Sequence, residues 1–254
     1  MWHLLKRHPF PVVANFERVV AVSFAFPENA LRPMVSKGLV PDTYEGFGFI
    51  TVALVWTRNL RPNVFPEFLG RDFFLAGYRI FTRLTDSSSG RRLRGLQILR
   101  SETDDPRMVC LGNWMTHYRY CKVRTEVSQM GSSTRVVNVS RKGDVTLDLT
   151  FDVGSAPESP PQGSPFRDWK TARRFSGPMP FTFSQEGRGK YVVIEGSRNQ
   201  WTPRPLEVKY WKMGLFEETP LRGIPPLLAN AFIVENVDYR WERGRLVNAG
   251  GGDE

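Results

Sequence analysis

The stretch Asp144-Val-Thr-Leu-Asp-Leu-Thr-Phe-Asp-Val153 alternates polar and apolar side chains without a break. A period of two residues is typical of a β-strand with one buried face and one face toward water. The preceding residues 134–140 are rich in β-branched side chains, and Arg141-Lys142-Gly143 between the two runs is a typical turn sequence. The two runs therefore predict a β-hairpin.

The rest of the chain carries the same kind of signal. A second hairpin is predicted from a strand at residues 73–84, a turn at residues 86–90 and a strand at residues 93–101. Further apolar and β-branched runs predict strands at residues 19–26, 47–57, 118–127, 191–195, 207–211 and 232–241. Many short strands with few helices favour a β-barrel or a β-sandwich.

Two short helices are predicted. One covers residues 30–37, with Asn29 as its N-cap and Gly38 at its end. The other begins at Ser164-Pro165, where an N-cap serine precedes a proline, and runs to about residue 174. Residues 154–163, rich in serine, proline and glycine, are predicted to form an exposed loop. We treat residues 1–254 as a single domain, because the strands after this loop are few and interrupted by prolines.

The positive charge of the chain is concentrated in one segment. The formal net charge is +9, and residues 91–142 hold eleven basic against four acidic residues, an excess of seven. Such a basic face could meet an acidic partner or nucleic acid, or could simply be solvated. No zinc finger, aromatic RNA-binding motif or basic heptad accompanies it, so the sequence does not favour nucleic-acid binding.

Cysteine content and the N-terminal segment predict a cytoplasmic protein. The two cysteines, Cys110 and Cys121, are too few for a disulfide framework. Residues 1–18 contain no continuous apolar region of signal-peptide length. The most apolar run, residues 47–56, is about half of the roughly 20 residues that a membrane-spanning helix requires.

Common catalytic and metal-binding motifs are absent from the sequence. There is no GxSxG elbow, no GxxxxGK[ST] loop and no HExxH helix. His117 and Cys121 are four residues apart, but no third or fourth ligand accompanies them, so neither a metal nor a cofactor is expected. Glu195 follows an apolar run and is a candidate general acid, although an ordinary carboxylate near the end of a strand is the simpler interpretation.

The order of several segments resembles a known family. These segments are Asn29-Ala-Leu-Arg-Pro-Met-Val35, Gly38-Leu-Val-Pro-Asp-Thr-Tyr-Glu-Gly46, Phe49-Ile-Thr-Val-Ala-Leu-Val55, Leu60-Arg-Pro62 and residues 73–82. The pattern is similar to that of an uncharacterised bacterial domain-of-unknown-function family related to acetoacetate decarboxylase. It spans residues 29–122 and continues more loosely to Trp201. The resemblance implies a closed or cone-shaped, largely antiparallel β-barrel with a few short helices, and it implies no reaction by itself.

Acetoacetate decarboxylases carry a proline followed by two lysines, the first of which forms a Schiff base with the substrate. In the best alignment Tyr118, Arg119 and Tyr120 occupy these three positions. Arginine stays protonated and cannot form the imine, so the resemblance implies chemistry without a Schiff base. A shift of three residues would place Lys122 there instead. The period-two pattern opposes this shift, because Arg119 shares the more apolar face of the strand with Val123, and Lys122 lies opposite.

Gly77-Tyr-Arg-Ile-Phe81 is similar to the family segment that has a central arginine, and Arg79 keeps that residue type. The glutamate and asparagine that precede the arginine in the family correspond here to Leu75 and Gly77. In a strand Arg79 shares a face with Leu75 and Phe81. A guanidinium among such neighbours is costly unless it is paired or holds a ligand.

We therefore expect a barrel that encloses a pocket for a small, carboxylate-bearing organic anion. The expected substrate-binding residues are Arg79, Arg119 and Tyr118. The candidate catalytic residues are His117, Tyr120 and Glu195. The opposing interpretation is a barrel filled with side chains, in which both arginines pair with Glu45, Glu195 or backbone carbonyls.

Three classes of function remain open on these grounds. The chain could be an enzyme that moves a proton next to a carbonyl, a ligand binder without catalysis, or an interaction protein that uses the basic face. A homo-oligomer is expected, because relatives of this fold often assemble through exposed strands.

Overall fold

The computed structural model describes residues 6–250, which are mostly β-strand. Residues 1–5, part of the segment from which the absence of a secretion signal is argued, lie outside the described residues. The strands are β1 (Val12–Pro27), β2 (Leu39–Pro41), β3 (Phe47–Pro62), β4 (Arg71–Thr85), β5 (Arg92–Thr103), β6 (Tyr120–Met130), β7 (Ser133–Ser140), β8 (Val145–Asp152), β9 (Phe181–Gly187), β10 (Lys190–Arg198), β11 (Arg204–Pro205), β12 (Glu207–Met213), β13 (Leu227–Trp241) and β14 (Arg245–Asn248). The helices are α1 (Glu28–Leu31), α2 (Pro106–Met115), α3 (Trp169–Phe175) and α4 (Gly214–Glu217).

Seven strands close into a ring. The order around the barrel is β5, β9, β10, β13, β1, β3 and β4, and the pairing of β4 with β5 closes it. All of these pairs are antiparallel except β5 with β9, which run parallel over residues 95–97 and 181–183. The predicted closed, largely antiparallel barrel with few helices is confirmed.

Four of the seven described strands outside the ring form one extension of the sheet. β6 leaves β5 through a short parallel pairing and continues into β7, β8 and β12. The largest hydrophobic core contains side chains both from this extension and from the barrel wall. In β8, for example, Leu147, Leu149 and Phe151 are fully buried, as the alternating pattern predicts.

The barrel wall is buried on both faces. In β3 the even-numbered residues Ile50, Val52 and Leu54 belong to the large core. The odd-numbered Thr51, Ala53 and Val55 line a cavity inside the ring. Because both faces of β3 are buried, its sequence is a continuous apolar run and does not alternate between polar and apolar residues.

The two predicted helices are shorter than expected. Asn29 lies inside α1 instead of capping it, and a 3₁₀ turn over Arg32–Met34 follows, which contains Pro33. The prediction that Ser164 caps the second helix is wrong, because α3 begins at Trp169 and the carboxylate of Asp168 accepts from the Thr171 amide at 2.6 Å. The hydroxyl of Ser164 instead donates to the carbonyl of Ala229, 2.6 Å away. This hydrogen bond anchors the segment before α3 to β13.

Helix α2 was not expected, although its start carries a clear signal. Asp105 is the N-cap, its carboxylate accepts from the Arg107 amide at 2.7 Å, and Pro106 occupies the first turn. Residues 154–163 form neither helix nor strand and are exposed or half-buried. None of the helices within residues 6–250 has the length and apolar composition that crossing a membrane requires.

Candidate functional site

Two adjoining cavities lie around the inner face of the barrel. The inner cavity has a volume of about 140 Å³ and is bounded by β1, β3, β4 and the segment at residues 176–179. The outer cavity, of about 450 Å³, is bounded by β3, β4, α2 and the segment at residues 60–69. Both are lined by Arg79, Tyr118 and Tyr120 together with four apolar residues. These three polar side chains therefore stand where the cavities meet.

Arg79 reaches the cavities because of its position in β4. It pairs with Thr51 of β3 and with Ile98 of β5, and its side chain shares the inward face with Leu75 and Phe81. The guanidinium folds back over Gly77, where a Cβ atom would lie 3.1 Å from the Arg79 Nε. The glycine thus provides the space in which the guanidinium lies.

The charge of Arg79 has no partner among residues 6–250. Its Nε is buried and makes no hydrogen bond, and no carboxylate lies within ion-pair distance. Burial lowers the pKa of Arg79, while the neighbouring Tyr239, Tyr118 and Tyr120 act to raise that pKa. Arginine nevertheless stays protonated in proteins. The barrel interior therefore holds a positive charge that a bound anion would balance.

Tyr118 and Tyr120 enter the barrel from a sharply bent segment. Arg119 between them has a left-handed backbone with φ of 54°, and its own side chain is exposed. The amide of Asn113 fixes this segment, because it donates to the Tyr120 carbonyl and accepts from the Tyr120 N–H, both at 2.8 Å. The two tyrosine rings are 6.4 Å apart.

Both phenols are proton donors at neutral pH. Burial raises the pKa of Tyr120 to about 12, against a smaller opposing effect of Arg79. Burial also raises the pKa of Tyr118, and the nearby Tyr120 adds to that rise. A protonated phenol can donate a hydrogen bond or a proton to a bound oxygen atom.

The other predicted site residues lie elsewhere. Arg119 and His117 line a third cavity, of about 320 Å³, together with Lys6 and Gln97. The Nε2 of His117 is buried without a partner among the described residues, and its pKa is lowered by burial and then by Lys6. The period-two argument that grouped Arg119 with the apolar face does not hold, because a left-handed residue breaks the alternation of an extended strand.

Glu195 and Lys122 are remote from the barrel interior. Glu195 is exposed on β10, and Lys122 is exposed on β6. Neither lines the inner, outer or third cavity. The structure thus brings Arg79, Tyr118 and Tyr120 together and separates them from His117, Arg119 and Glu195.

Several residues of the site were missed by sequence reasoning. Tyr239 and Trp241 of β13 line the inner cavity, as do Arg198 and Trp201. The Arg198 guanidinium lies over the rings of Trp201 and Tyr239, at 5.6 and 5.9 Å from their centroids. The alternation of Val237, Tyr239 and Trp241 in a predicted strand was the signal that could have identified two of these residues.

The two cavities around Arg79 lack acidic side chains among the described residues, so none could take the place of a bound anion there. Within residues 6–250, no aspartate or glutamate lines the inner or the outer cavity. That part of the chain also contains no cluster of three or more histidine, cysteine, aspartate or glutamate side chains suited to a metal ion. The polar groups at the inner cavity are guanidinium and hydroxyl groups, which suit a carboxylate or a carbonyl oxygen.

The seven-stranded ring encloses Arg79, which has no charged partner among residues 6–250. Residues 13–235 match the model of DUF2071, described as an uncharacterized conserved protein, and the chain belongs to this family. The family resemblance of the sequence is thereby confirmed. No curated protein has a sequence that matches the chain.

Solved structures share the fold at low sequence identity. Acetoacetate decarboxylase from Legionella pneumophila subsp. pneumophila str. Philadelphia 1 has a TM-score of 0.62 at 9% identity, over 95% of this chain and 88% of that one. An acetoacetate decarboxylase-like enzyme from Sphingomonas wittichii RW1 has a TM-score of 0.62 at 10% identity, over 97% and 96% of the two chains. The enduracididine biosynthesis enzyme MppR, complexed with pyruvate, has a TM-score of 0.61 at 13% identity, over 95% and 91%. At such identities the similarity establishes the fold alone.

Proposed function

We propose that the barrel binds a small, carboxylate-bearing organic anion at Arg79 and acts on it without a Schiff-base lysine. The observation that carries this proposal is the buried guanidinium of Arg79, which has no partner among residues 6–250 and faces cavities without acidic side chains. An arginine fork can hold a carboxylate through two parallel hydrogen bonds. MppR, which has the same fold, is described in complex with pyruvate, a small carboxylate.

The positions of the lysines favour a reaction that does not form an imine. Within residues 6–250, no lysine lines the inner or the outer cavity. Lys122 is exposed, and the position between the two inward tyrosines is an arginine. An imine requires an unprotonated amine next to the substrate carbonyl, so the surroundings of Arg79 favour a different reaction.

Tyr118 and Tyr120 take the catalytic role in this proposal. Their phenols stay protonated because burial raises the pKa of each, so they donate to a substrate oxygen rather than remove a proton. Stabilisation of negative charge that develops on a substrate carbonyl oxygen, through hydrogen bonds from these phenols, is the chemistry that this arrangement suits best. Tyr120 contacts both cavities, and the Asn113 amide fixes its backbone.

The alternative, a basic face formed by residues 91–142, receives less support. Four of its eleven basic residues pair with carboxylates, and three of those carboxylates come from outside the segment. These pairs are Arg94 with Asp42, Arg100 with Glu218, Arg124 with Glu126 and Arg135 with Asp148. Partial neutralisation reduces the field that would attract an acidic partner. The cytoplasmic location and a homo-oligomeric assembly stay predictions from the sequence.

Calorimetric titration with pyruvate and butyrate tests the proposal. Arg79→Gln should weaken carboxylate binding about 10- to 100-fold, because a charge-assisted hydrogen bond is worth about 1.5–3 kcal/mol. The matched control is Arg92→Gln, at an exposed arginine of the neighbouring strand β5, which should bind as the parent does. Absence of carboxylate binding by the parent would refute the proposal. So would loss of binding in Arg119→Gln but not in Arg79→Gln, which would place the ligand in the third cavity.

A further inference from the structure

We infer that the acid bound at Arg79 carries an apolar tail of about eight to ten carbons, and that this tail occupies the outer cavity. The inference rests on the proposed function, since Arg79 must hold the carboxylate. It adds the class of ligand, an amphipathic monocarboxylic acid such as a medium-chain fatty acid. The outer cavity is about 450 Å³, within the common range for sites that enclose organic ligands of moderate size.

The walls of the outer cavity are almost entirely apolar. Phe73 and Leu75 of β4 form one side, and Leu60 of β3 lies beside them. Helix α2 contributes Met108, Leu111 and Met115 from the other side. Burial of an apolar tail against such walls favours binding, whereas burial of a polar tail there does not.

The basic side chains of the outer cavity other than Arg79, namely Arg61, Arg71 and His8, already have partners. Arg61 donates to the carbonyl oxygens of Phe65 and Asn59 and contacts Glu67 at 3.2 Å. Arg71 lies 3.8 Å from Asp105. The His8 ring contacts the Glu242 carbonyl at 3.0 Å. Arg79 is therefore the cation that remains for a carboxylate, which sets the orientation of the acid with its head inward.

The far end of the outer cavity reaches the surface. Three of its lining residues are substantially exposed, Phe65 by 49%, Leu69 by 52% and Leu111 by 40%. They lie on the segment between β3 and β4 and on α2. An apolar lining that continues to the solvent provides an opening through which a tail can enter and leave.

The length of the tail follows from β4. The Arg79 guanidinium lies at the level of Gly77, and Phe73 lies four residues further toward the opening. At about 3.3 Å per residue this distance is about 13 Å. An extended hydrocarbon chain of about ten carbons has this length, given C–C bonds of about 1.5 Å.

Titration of the unmodified protein with butyrate, hexanoate, octanoate and decanoate tests the inference. Each buried methylene contributes about 0.8 kcal/mol, which corresponds to about a fourfold decrease in Kd. From hexanoate to decanoate, a difference of four methylenes, we therefore expect Kd to fall by about 200-fold. Decanol, which lacks the carboxylate, should bind at least tenfold more weakly than decanoate.

Two substitutions at the opening provide a matched pair. Leu69→Asp places a charge in the wall of the outer cavity and should weaken decanoate binding at least tenfold, while butyrate binding stays the same. Phe68→Asp alters the adjacent side chain, which is 83% exposed and lines neither cavity, and should change neither affinity. Leu111→Asp repeats the test from α2 if Leu69→Asp fails to fold.

The outcomes separate the two claims. Equal affinity for all four acids, lost in Arg79→Gln, would overturn the apolar tail and leave the proposed function standing. Binding of decanol as tight as that of decanoate would overturn the carboxylate anchor and with it the proposed function. Failure of every acid to bind would overturn both.

Discussion

At the scale of single residues, the site depends on one pair of neighbours in β4. Arg79 points inward because it shares the parity of Leu75 and Phe81, which strand geometry fixes. Gly77 has the same parity, and without a side chain it leaves the space that the guanidinium occupies. The glycine and the arginine therefore act as a unit.

Gly77→Ala tests this unit. The new Cβ atom would lie 3.1 Å from Nε and 3.2 Å from Nη2 of Arg79, so the guanidinium must move by a few tenths of an ångström. Because the end of a flexible side chain can move easily, we expect the free energy of unfolding to change by less than about 1 kcal/mol. Carboxylate affinity, measured by calorimetry, should fall by up to about tenfold as the fork loses its alignment. Unchanged affinity would show that the position of the guanidinium over Gly77 is unimportant.

The sequence predicted the inward direction of Arg79 but not that of Arg119. Strand parity is readable from residues on both sides of Arg79, whereas a left-handed conformation at an arginine has no signature in residue type. His117 and Glu195 were chosen by chemistry alone, and the structure places both apart from Arg79. The same alternation of residues in a strand that identified Arg79 could also have identified Tyr239 and Trp241.

At the scale of elements, β8 differs from the simple picture of one dry and one wet face. Its polar residues Asp148 and Asp152 are buried as well, because neighbouring strands cover them with basic side chains. Arg135 of β7 holds Asp148 at 2.7 Å, and Lys209 of β12 holds Asp152 at 2.5 Å. These pairs link three strands of the outer extension.

Asp152→Asn should remove an acid-sensitive part of the stability. Lys209 and then Ser132 hold the pKa of Asp152 at about 2, below its ordinary value of 3.8. The folded state therefore binds this proton less readily than the unfolded chain, and the stabilisation is present above about pH 4 and lost as the pH falls toward 2. In urea unfolding between pH 2 and 6, the difference between parent and variant should be largest above pH 4 and vanish near pH 2.

The control for this measurement is Asp144→Asn, at an exposed aspartate just before β8. It should leave stability nearly the same throughout the range. A difference between the parent and Asp152→Asn that is independent of pH would mean that the ion pair with Lys209 is not its source.

Long elements were predictable and short ones were not. The strands β1, β3, β4 and β5 have 12 to 16 residues, and each contains a predicted run of at least eight residues. β2, β11 and β14 have two to four residues, too few for a period to appear. Helix α2 was overlooked although Asp105-Pro106 gives a standard start, because its apolar positions mix with glycine and asparagine.

At the scale of the whole molecule, the ring includes two short contacts of three residue pairs each, β5 with β9 and β10 with β13. β5 and β9 meet over three residue pairs, whereas β1 and β3 pair along almost their full lengths. Gly95 is one of the three residues in β5, and a Cβ atom there would lie 2.4 Å from the Phe181 carbonyl oxygen. The two strands can approach each other only because this residue has no side chain.

Gly95→Ala should weaken this closure. The methyl group must push β9 away or move the Phe183 ring, which would be 2.8 Å away. Overpacking of this kind costs about 1–3 kcal/mol, and it should appear in urea unfolding as a lower midpoint. Gly187→Ala, where no atom lies within 4 Å of the new Cβ, is the matched control. Equal midpoints for both variants would mean that the ring does not depend on close approach at Gly95.

The fold class was predictable from strand pattern and family resemblance together, but the order of strands in the ring was not. The parallel contact of β5 with β9 joins segments about 86 residues apart. Local propensity carries no information about such a pairing. The cavities follow from that closure, so their volumes and openings were also beyond the reach of the sequence.

The bend at Arg119 also decides where an imine-forming enzyme could be built on this scaffold. Replacing Arg119 with lysine would restore the residue type of the decarboxylases, yet the amine would stand outside the barrel, because the side chain at this position is exposed. A designer would have to place the lysine at position 118 or 120, where the side chains face the cavities, and accept Arg79 as the neighbouring cation that lowers its pKa. The scaffold would then gain a new nucleophile at the cost of one phenol.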